Sequence, residues 1–118
     1  MLLRFWRRSE IRAADYLRKL GYRIVASGFR VREGEVDIVC WDGDILVFVE
    51  VKSRQSDDDP ESVVGLRKQR RVIRAAKLYL SRYKLHEAKY RFDIVTVNEV
   101  AGRKPVYRHF RDAFRASS

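Results

Sequence analysis

Gly34-Glu35-Val36-Asp37-Ile38-Val39-Cys40-Trp41-Asp42-Gly43-Asp44-Ile45-Leu46-Val47-Phe48-Val49-Glu50-Val51-Lys52 decides the reading of this chain. Two β-branched apolar runs flank Asp42-Gly43, a dipeptide suited to a two-residue hairpin loop. Glu35, Asp37, Glu50 and Lys52 are charged residues inside those runs. Charges in a core strand are costly unless they are paired or bound to a cation. With Asp42-Gly43 as the loop, Trp41 pairs with Asp44, Asp37 faces Phe48 and Glu35 faces Glu50. Alternation along the strands then projects all four charges from one face. Asp37 and Glu50 become diagonal neighbours, with Cβ atoms up to roughly 7–8 Å apart. Two carboxylates so placed can lean onto one cation. A three-residue loop would send Asp37 to the other face.

An Asp, twelve residues, then Glu-x-Lys resembles the PD-(D/E)XK nuclease superfamily, with Asp37, Glu50 and Lys52 on the signature positions. The wording around it, Gly34-Glu35-Val36-Asp37 and Val47-Phe48-Val49-Glu50-Val51-Lys52-Ser53-Arg54, is similar to one branch. That branch is the YraN-like family of small bacterial proteins, endonucleases by prediction and similar to archaeal Holliday junction resolvases. The resemblance runs from about Glu10 to Val97. It includes Ala14-x-Tyr16-Leu17, Gly21-Tyr22 and Arg91-Phe92-Asp93-Ile94-Val95. It implies a restriction-endonuclease-like α/β core, a mixed central sheet flanked by helices.

Length and composition agree with that class. A chain of 118 residues, 46% hydrophobic, reads as one domain with its own core. The core spans about 10–97, and a basic strand or tail covers 98–118. The 26 Lys and Arg against 16 Asp and Glu leave a formal charge of +10, which favours a polyanionic partner. One cysteine, Cys40, allows no intrachain disulfide and fits a reducing, cytoplasmic location. No run is long enough to span a membrane. The opening Met1–Arg8 stretch is too short and basic for the apolar region of a signal peptide.

Along the chain, about 4–20 reads as a helix with Ala13, Ala14, Leu17 and Leu20 on one stripe and Gly21 as its stop. Glu10 lies on that stripe. It is either a first-turn acid behind a Ser9 N-cap or an acid turned toward the hairpin. The resemblance supports the second role, since a Glu of this helix joins the metal site in resolvase-like families. The Gly that usually precedes that Glu is Ser9 here. Tyr22–Ser27 reads as a strand and Gly28–Glu33 as an irregular link. Ser53–Glu61, with Asp57-Asp58-Asp59-Pro60, reads as a solvated loop. Trp41 and Phe48 read as core.

Ser62 to about Tyr83 reads as the longest helix, with Ile73, Ala76, Leu80 and Tyr83 on one face. Arg67, Lys68, Arg70, Arg71, Arg74 and Lys77 crowd the rest, with no acid between Arg67 and Arg82. Like charges at i,i+4 repel, so phosphate contact by these residues and Arg54 is expected. Arg91–Val97 reads as a strand, with Asp93 pairing Arg91 or another base, and Val106–Phe110 as an edge strand.

The expected chemistry is phosphodiester hydrolysis. Mg²⁺ or Mn²⁺ takes oxygen ligands and commonly one or two carboxylates. Asp37 and Glu50 suit that role, with the Val51 carbonyl and Glu10 implied as further ligands by the resemblance. Lys52 would act on the attacking water or the transition state, and Glu35 would lie just outside the ligand set. DNA is the expected partner. Resolvases act as symmetric dimers, so the resemblance admits a homodimer. The alternative is a nucleic-acid-binding or adaptor module that keeps the fold without turnover. His86 and His109 make no zinc set, and no Gly-rich phosphate loop is present.

Overall fold

The computed structural model describes residues 7–54 and 64–116. Helix α1 (Arg8–Lys19) precedes strands β1 (Arg23–Val31), β2 (Gly34–Asp42) and β3 (Ile45–Arg54). Helix α2 (Leu66–Arg82) and strands β4 (Lys89–Asn98) and β5 (Val106–Phe114) follow. The sheet order is β1-β2-β3-β4-β5, antiparallel except for the β3–β4 pair. Parallel neighbours need a crossover, and α2 is that crossover. This is a mixed sheet with a helix on each face, consistent with a restriction-endonuclease-like α/β core.

Each helix buries one stripe with a pair of alanines at its centre. Glu10, Ala13, Ala14 and Leu17 are the buried positions of α1, at the i, i+3, i+4, i+7 spacing of one helical face. They meet Ile38, Cys40, Val47, Val49 and Val51. On the other face Val72, Ala75, Ala76 and Tyr79 of α2 cover Val36, Val39, Leu46 and Phe48. The apolar face expected at Ile73, Ala76, Leu80 and Tyr83 is therefore rotated. Ile73 and Leu80 lie at its border, and Tyr83 is exposed. Phe48 is buried core, and Trp41 is half-buried against the same cluster. A Cβ on Gly34 would fall 1.8 Å from the Arg71 carbonyl oxygen, so this glycine lets α2 lie directly on β2.

Both helices end in the same way. Tyr22 N–H donates to the Leu17 carbonyl and Gly21 N–H to that of Arg18, with Gly21 at φ +93°. Leu85 and Lys84 repeat the pattern on Leu80 and Ser81, with Lys84 at φ +55°. The N-cap of α1 is Arg7 rather than Ser9, which lies inside the helix. The described part of α1 starts later than the expected residue 4. Residues 4–6, the 57–60 acidic loop and the Ser62 start of the second helix lie outside the described residues.

The strands differ from expectation in several places, including β3, which runs through Ser53 and Arg54 where a loop was expected. Strand β1 continues through Gly28–Val31, where a loop was expected, because these residues pair with β2 at a half-exposed edge. Strand β5 runs on to Phe114. The hairpin loop is Gly43-Asp44, with Asp42 paired to Ile45. Gly43 has φ +60°, and Asp44 is not among the positive-φ residues. That is the type II′ requirement, a glycine at the first central position only. Pair sums thus rise from the expected 85 to 87, an even step that preserves the alternation.

Candidate carboxylate site

The ladder between β2 and β3 ends at the Ile38–Val49 pair. Strict alternation slips at the same place. Val36 and Val39 both belong to the cluster under α2, while Ile38 and Cys40 belong to the other. Asp37 sits at the slip. Its Oδ2 accepts the Val51 N–H at 2.9 Å, so the side chain takes over where the ladder stops. Glu35 consequently faces Arg30 of β1, not Glu50 as expected.

Three carboxylates are buried around this fork. Glu10 and Asp37 are 0% exposed and Glu50 2%. Two bases approach them, one from the start of each helix. From the start of α1, Arg7 Nε donates to Glu10 Oε1 at 2.8 Å, and its terminal nitrogen reaches Asp37 Oδ1 at 3.1 Å. From the start of α2, Lys68 Nζ lies 3.3 Å from Glu35 Oε1 and 3.6 Å from Glu50 Oε1. The expected single flat face is thus a fork at the carboxyl end of β3, reached from both sides of the sheet. In open α/β sheets that end is where ligands bind.

Electrostatics separate the acids. Burial pushes Glu50 up to about 8, helped by the nearby charge of Asp37 and opposed by Lys68 and Lys52. Its Oε2 has no hydrogen-bond partner among the described residues. Burial also works against an ionised Glu35. Arg30, with Nε 3.0 Å from Oε2, and Lys68 overcome it and hold Glu35 below the usual range. Lys52 is half-buried.

The fork can accept a hard cation. Its donors are carboxylate oxygens, one of them buried without a partner. Among the described residues no three His, Cys, Asp or Glu side chains converge as a ready-made cage. Mg²⁺ does not require one, since it binds through one or two carboxylates and keeps its waters.

The remaining expected residues scatter. Arg67, Arg70, Arg71, Arg74 and Lys77 are exposed on α2, while Lys68 turns inward to the acids. Arg54 ends β3, and its side chain lies outside the described residues. Sequence reasoning missed Arg7, whose only signal was its place one helical turn before Glu10. Asp93 belongs elsewhere, buried with Arg91 Nε at 2.9 Å and His109 Nε2 at 2.7 Å. A cavity of about 430 Å³ beside the start of α1 is lined by Arg8, Arg12, Glu99 and Arg103. Another of about 410 Å³ lies at the opposite end of β3 and β4, away from the acids.

Residues 9–97 match the model of the uncharacterised protein family UPF0102. The chain belongs to that family. A UPF0102 protein of Syntrophus aciditrophicus is 45% identical over 98 residues, covering 81% of this chain and 77% of its own. One of Geobacter sulfurreducens is 41% identical over 109 residues, covering 91% and 85%. One of Symbiobacterium thermophilum is 42% identical over 106 residues, covering 88% and 90%. The UPF0102 match spans α1 from Ser9, α2 and β1 to β4 up to Val97, and so includes Glu10, Asp37 and Glu50, while Arg7 lies just outside it. Among the described residues no helix is long and apolar enough to cross a membrane.

Proposed function

We propose that this chain is a divalent-metal-dependent endonuclease that hydrolyses phosphodiester bonds of DNA, with branched or junction DNA among the candidate substrates. The observation that carries the reading is the burial of Glu10, Asp37 and Glu50 at one fork. Concentrating like charges in a core has no benefit to folding. It does suit a cation site. The PD-(D/E)XK pattern of Asp37, Glu50 and Lys52 supplies the reaction class.

Mg²⁺ or Mn²⁺ bound at the fork would polarise the phosphate and provide an activated water. Asp37 and Glu50 would hold it, with Glu10 and the Val51 carbonyl completing the protein ligands. The Val51 N–H fixes the Asp37 carboxylate in place. Lys52 orients the attacking water or stabilises charge on the phosphate as it expands. Glu35, held by Arg30 and Lys68, keeps Lys68 beside Glu50. The exposed bases of α2 meet phosphates without reading sequence.

A second reading is a non-catalytic nucleic-acid-binding module. The ion pairs of Arg7 and Lys68, which already partner the acids, favour it. The experiment is incubation of the full chain with four-way junction, single-stranded and duplex DNA, with Mg²⁺, Mn²⁺ or chelator. Cleavage confined to the metal reactions supports the nuclease. Binding without cleavage under any metal supports the module.

A further inference from the structure

We propose that Arg7 is a built-in counter-cation of the fork: it occupies the Glu10–Asp37 edge until a divalent cation displaces it, and so weakens the hold of the site on metal. This rests on the metal reading above and adds a positioning residue that the sequence pattern does not contain.

Three observations carry it. First, one guanidinium spans two buried acids from different elements, at 2.7 Å from Glu10 Oε1 and 3.1 Å from Asp37 Oδ1. A divalent ion bound to Asp37 Oδ1 would claim the same oxygen. Second, the Arg7 side chain is 60% exposed, although both acids it binds are buried. It can swing into water without unpacking any core. The Arg91–Asp93 pair contrasts with it, since Arg91 is only 14% exposed. Third, Arg7 is a poor residue for its helical position, apart from its i,i+3 pair with Glu10. It is the N-cap of α1 and makes no side-chain cap hydrogen bond. Capping favours Ser, Thr, Asp or Asn, and a cation opposes the helix dipole at this end. Its side chain is instead engaged by Glu10 and Asp37.

Displacement has a thermodynamic consequence. Only the conformers with Arg7 swung away can bind metal, so the apparent affinity is reduced by their fraction. Removing Arg7 removes that competition. Arg8 provides the control, because it carries the same charge one residue on but pairs with Glu99.

The test is calorimetric titration of Mn²⁺ into wild-type protein, Arg7→Gln and Arg8→Gln, with thermal melts in chelator and in Mn²⁺. Arg7→Gln should bind Mn²⁺ on the order of tenfold more tightly, within the usual range of coupling between sites. Arg8→Gln should match the wild type. In chelator Arg7→Gln should melt below the wild type, and Mn²⁺ should close the gap. If Arg7→Gln does not stay folded in chelator, Arg7→Lys replaces it, keeping one charge but losing the two-acid span, and should bind metal more tightly than wild type. Wild type that binds Mn²⁺ while Arg7→Gln binds no more tightly overturns the counter-cation role and leaves the metal site standing. Equal tightening by Arg8→Gln also overturns it, as an effect of net charge alone. Absence of Mn²⁺ binding in both wild type and Arg7→Gln overturns the metal site together with this role.

Discussion

The Lys68 ammonium stands 3.6 Å from a carboxylate oxygen of Glu50 and 3.3 Å from one of Glu35, turned off the basic face of α2 toward the two acids. Helical spacing alone groups Lys68 with Arg67, Arg70, Arg71, Arg74 and Lys77. The contact divides that group into exposed bases available to phosphate and one base committed to the acids. Replacing Arg67, Arg70 and Arg74 with Ala should flatten the salt dependence of DNA binding by up to ~0.9 in log–log slope for each lost duplex contact. Lys68→Ala should leave the slope nearly unchanged. Equal slopes for the parent and the triple variant would move the DNA face off α2.

Glu50 predicts a pH dependence of stability. Its folded pKa, about 8, lies above the ordinary 4.5 because burial and Asp37 disfavour the charged form. Between those values the folded state binds the extra proton, so stability is greatest below about 4.5 and falls as pH rises toward 8. The slope from one such proton is about 1.4 kcal/mol per pH unit at most. Chemical denaturation in chelator should show this decline in the wild type and a flatter profile in Glu50→Gln. Mn²⁺ should oppose the decline, since a cation favours the ionised carboxylate. Parallel profiles for the two proteins would show that Glu50 is ionised throughout.

Asp93 should matter for stability rather than chemistry. It is fully buried, binds Arg91 and His109, and accepts the Asp112 N–H at 3.0 Å where β5 bulges away from β4. These contacts outweigh burial and keep its carboxyl below the usual range. Asp93→Asn should cost about 3–5 kcal/mol, the usual loss when one member of a buried ion pair is removed. Mn²⁺ affinity of the folded variant should be unchanged. Stability is read from denaturant unfolding, and a loss under about 1 kcal/mol would contradict the buried-pair account.

Much of this fold was legible because its signals are local. The Ala13, Ala14 and Leu17 stripe, the Gly21 stop and the apolar hairpin runs each follow from nearest-neighbour physics, and each stands where expected. What was not legible depends on contacts distant in sequence. The β1 extension through Gly28–Val31 is stabilised by β2, not by its own composition. The loop shift to Gly43-Asp44 follows from a type II′ turn, which the Asp-Gly pair does not announce. The break in alternation at Asp37 falls where the β2–β3 ladder ends, a matter of pairing between strands. At the site, the acids were visible as charges in apolar strands. Arg7 and Lys68 were not, because nothing in a helical pattern tells an inward base from a solvated one.

The most direct test of the central claim is DNA cleavage by the wild type, Asp37→Asn, Glu50→Gln and Lys52→Ala, measured beside Mn²⁺ and DNA affinity on the same preparations. The account predicts metal-dependent cleavage by the wild type alone. Asp37→Asn and Glu50→Gln should lose cleavage and weaken Mn²⁺ binding while holding DNA at least as well, since neither change adds negative charge facing phosphate. Lys52→Ala should lose cleavage and keep Mn²⁺, and adding it to Asp37→Asn should cost little more. Cleavage by the wild type that persists in excess chelator, or survives Asp37→Asn undiminished, would contradict it.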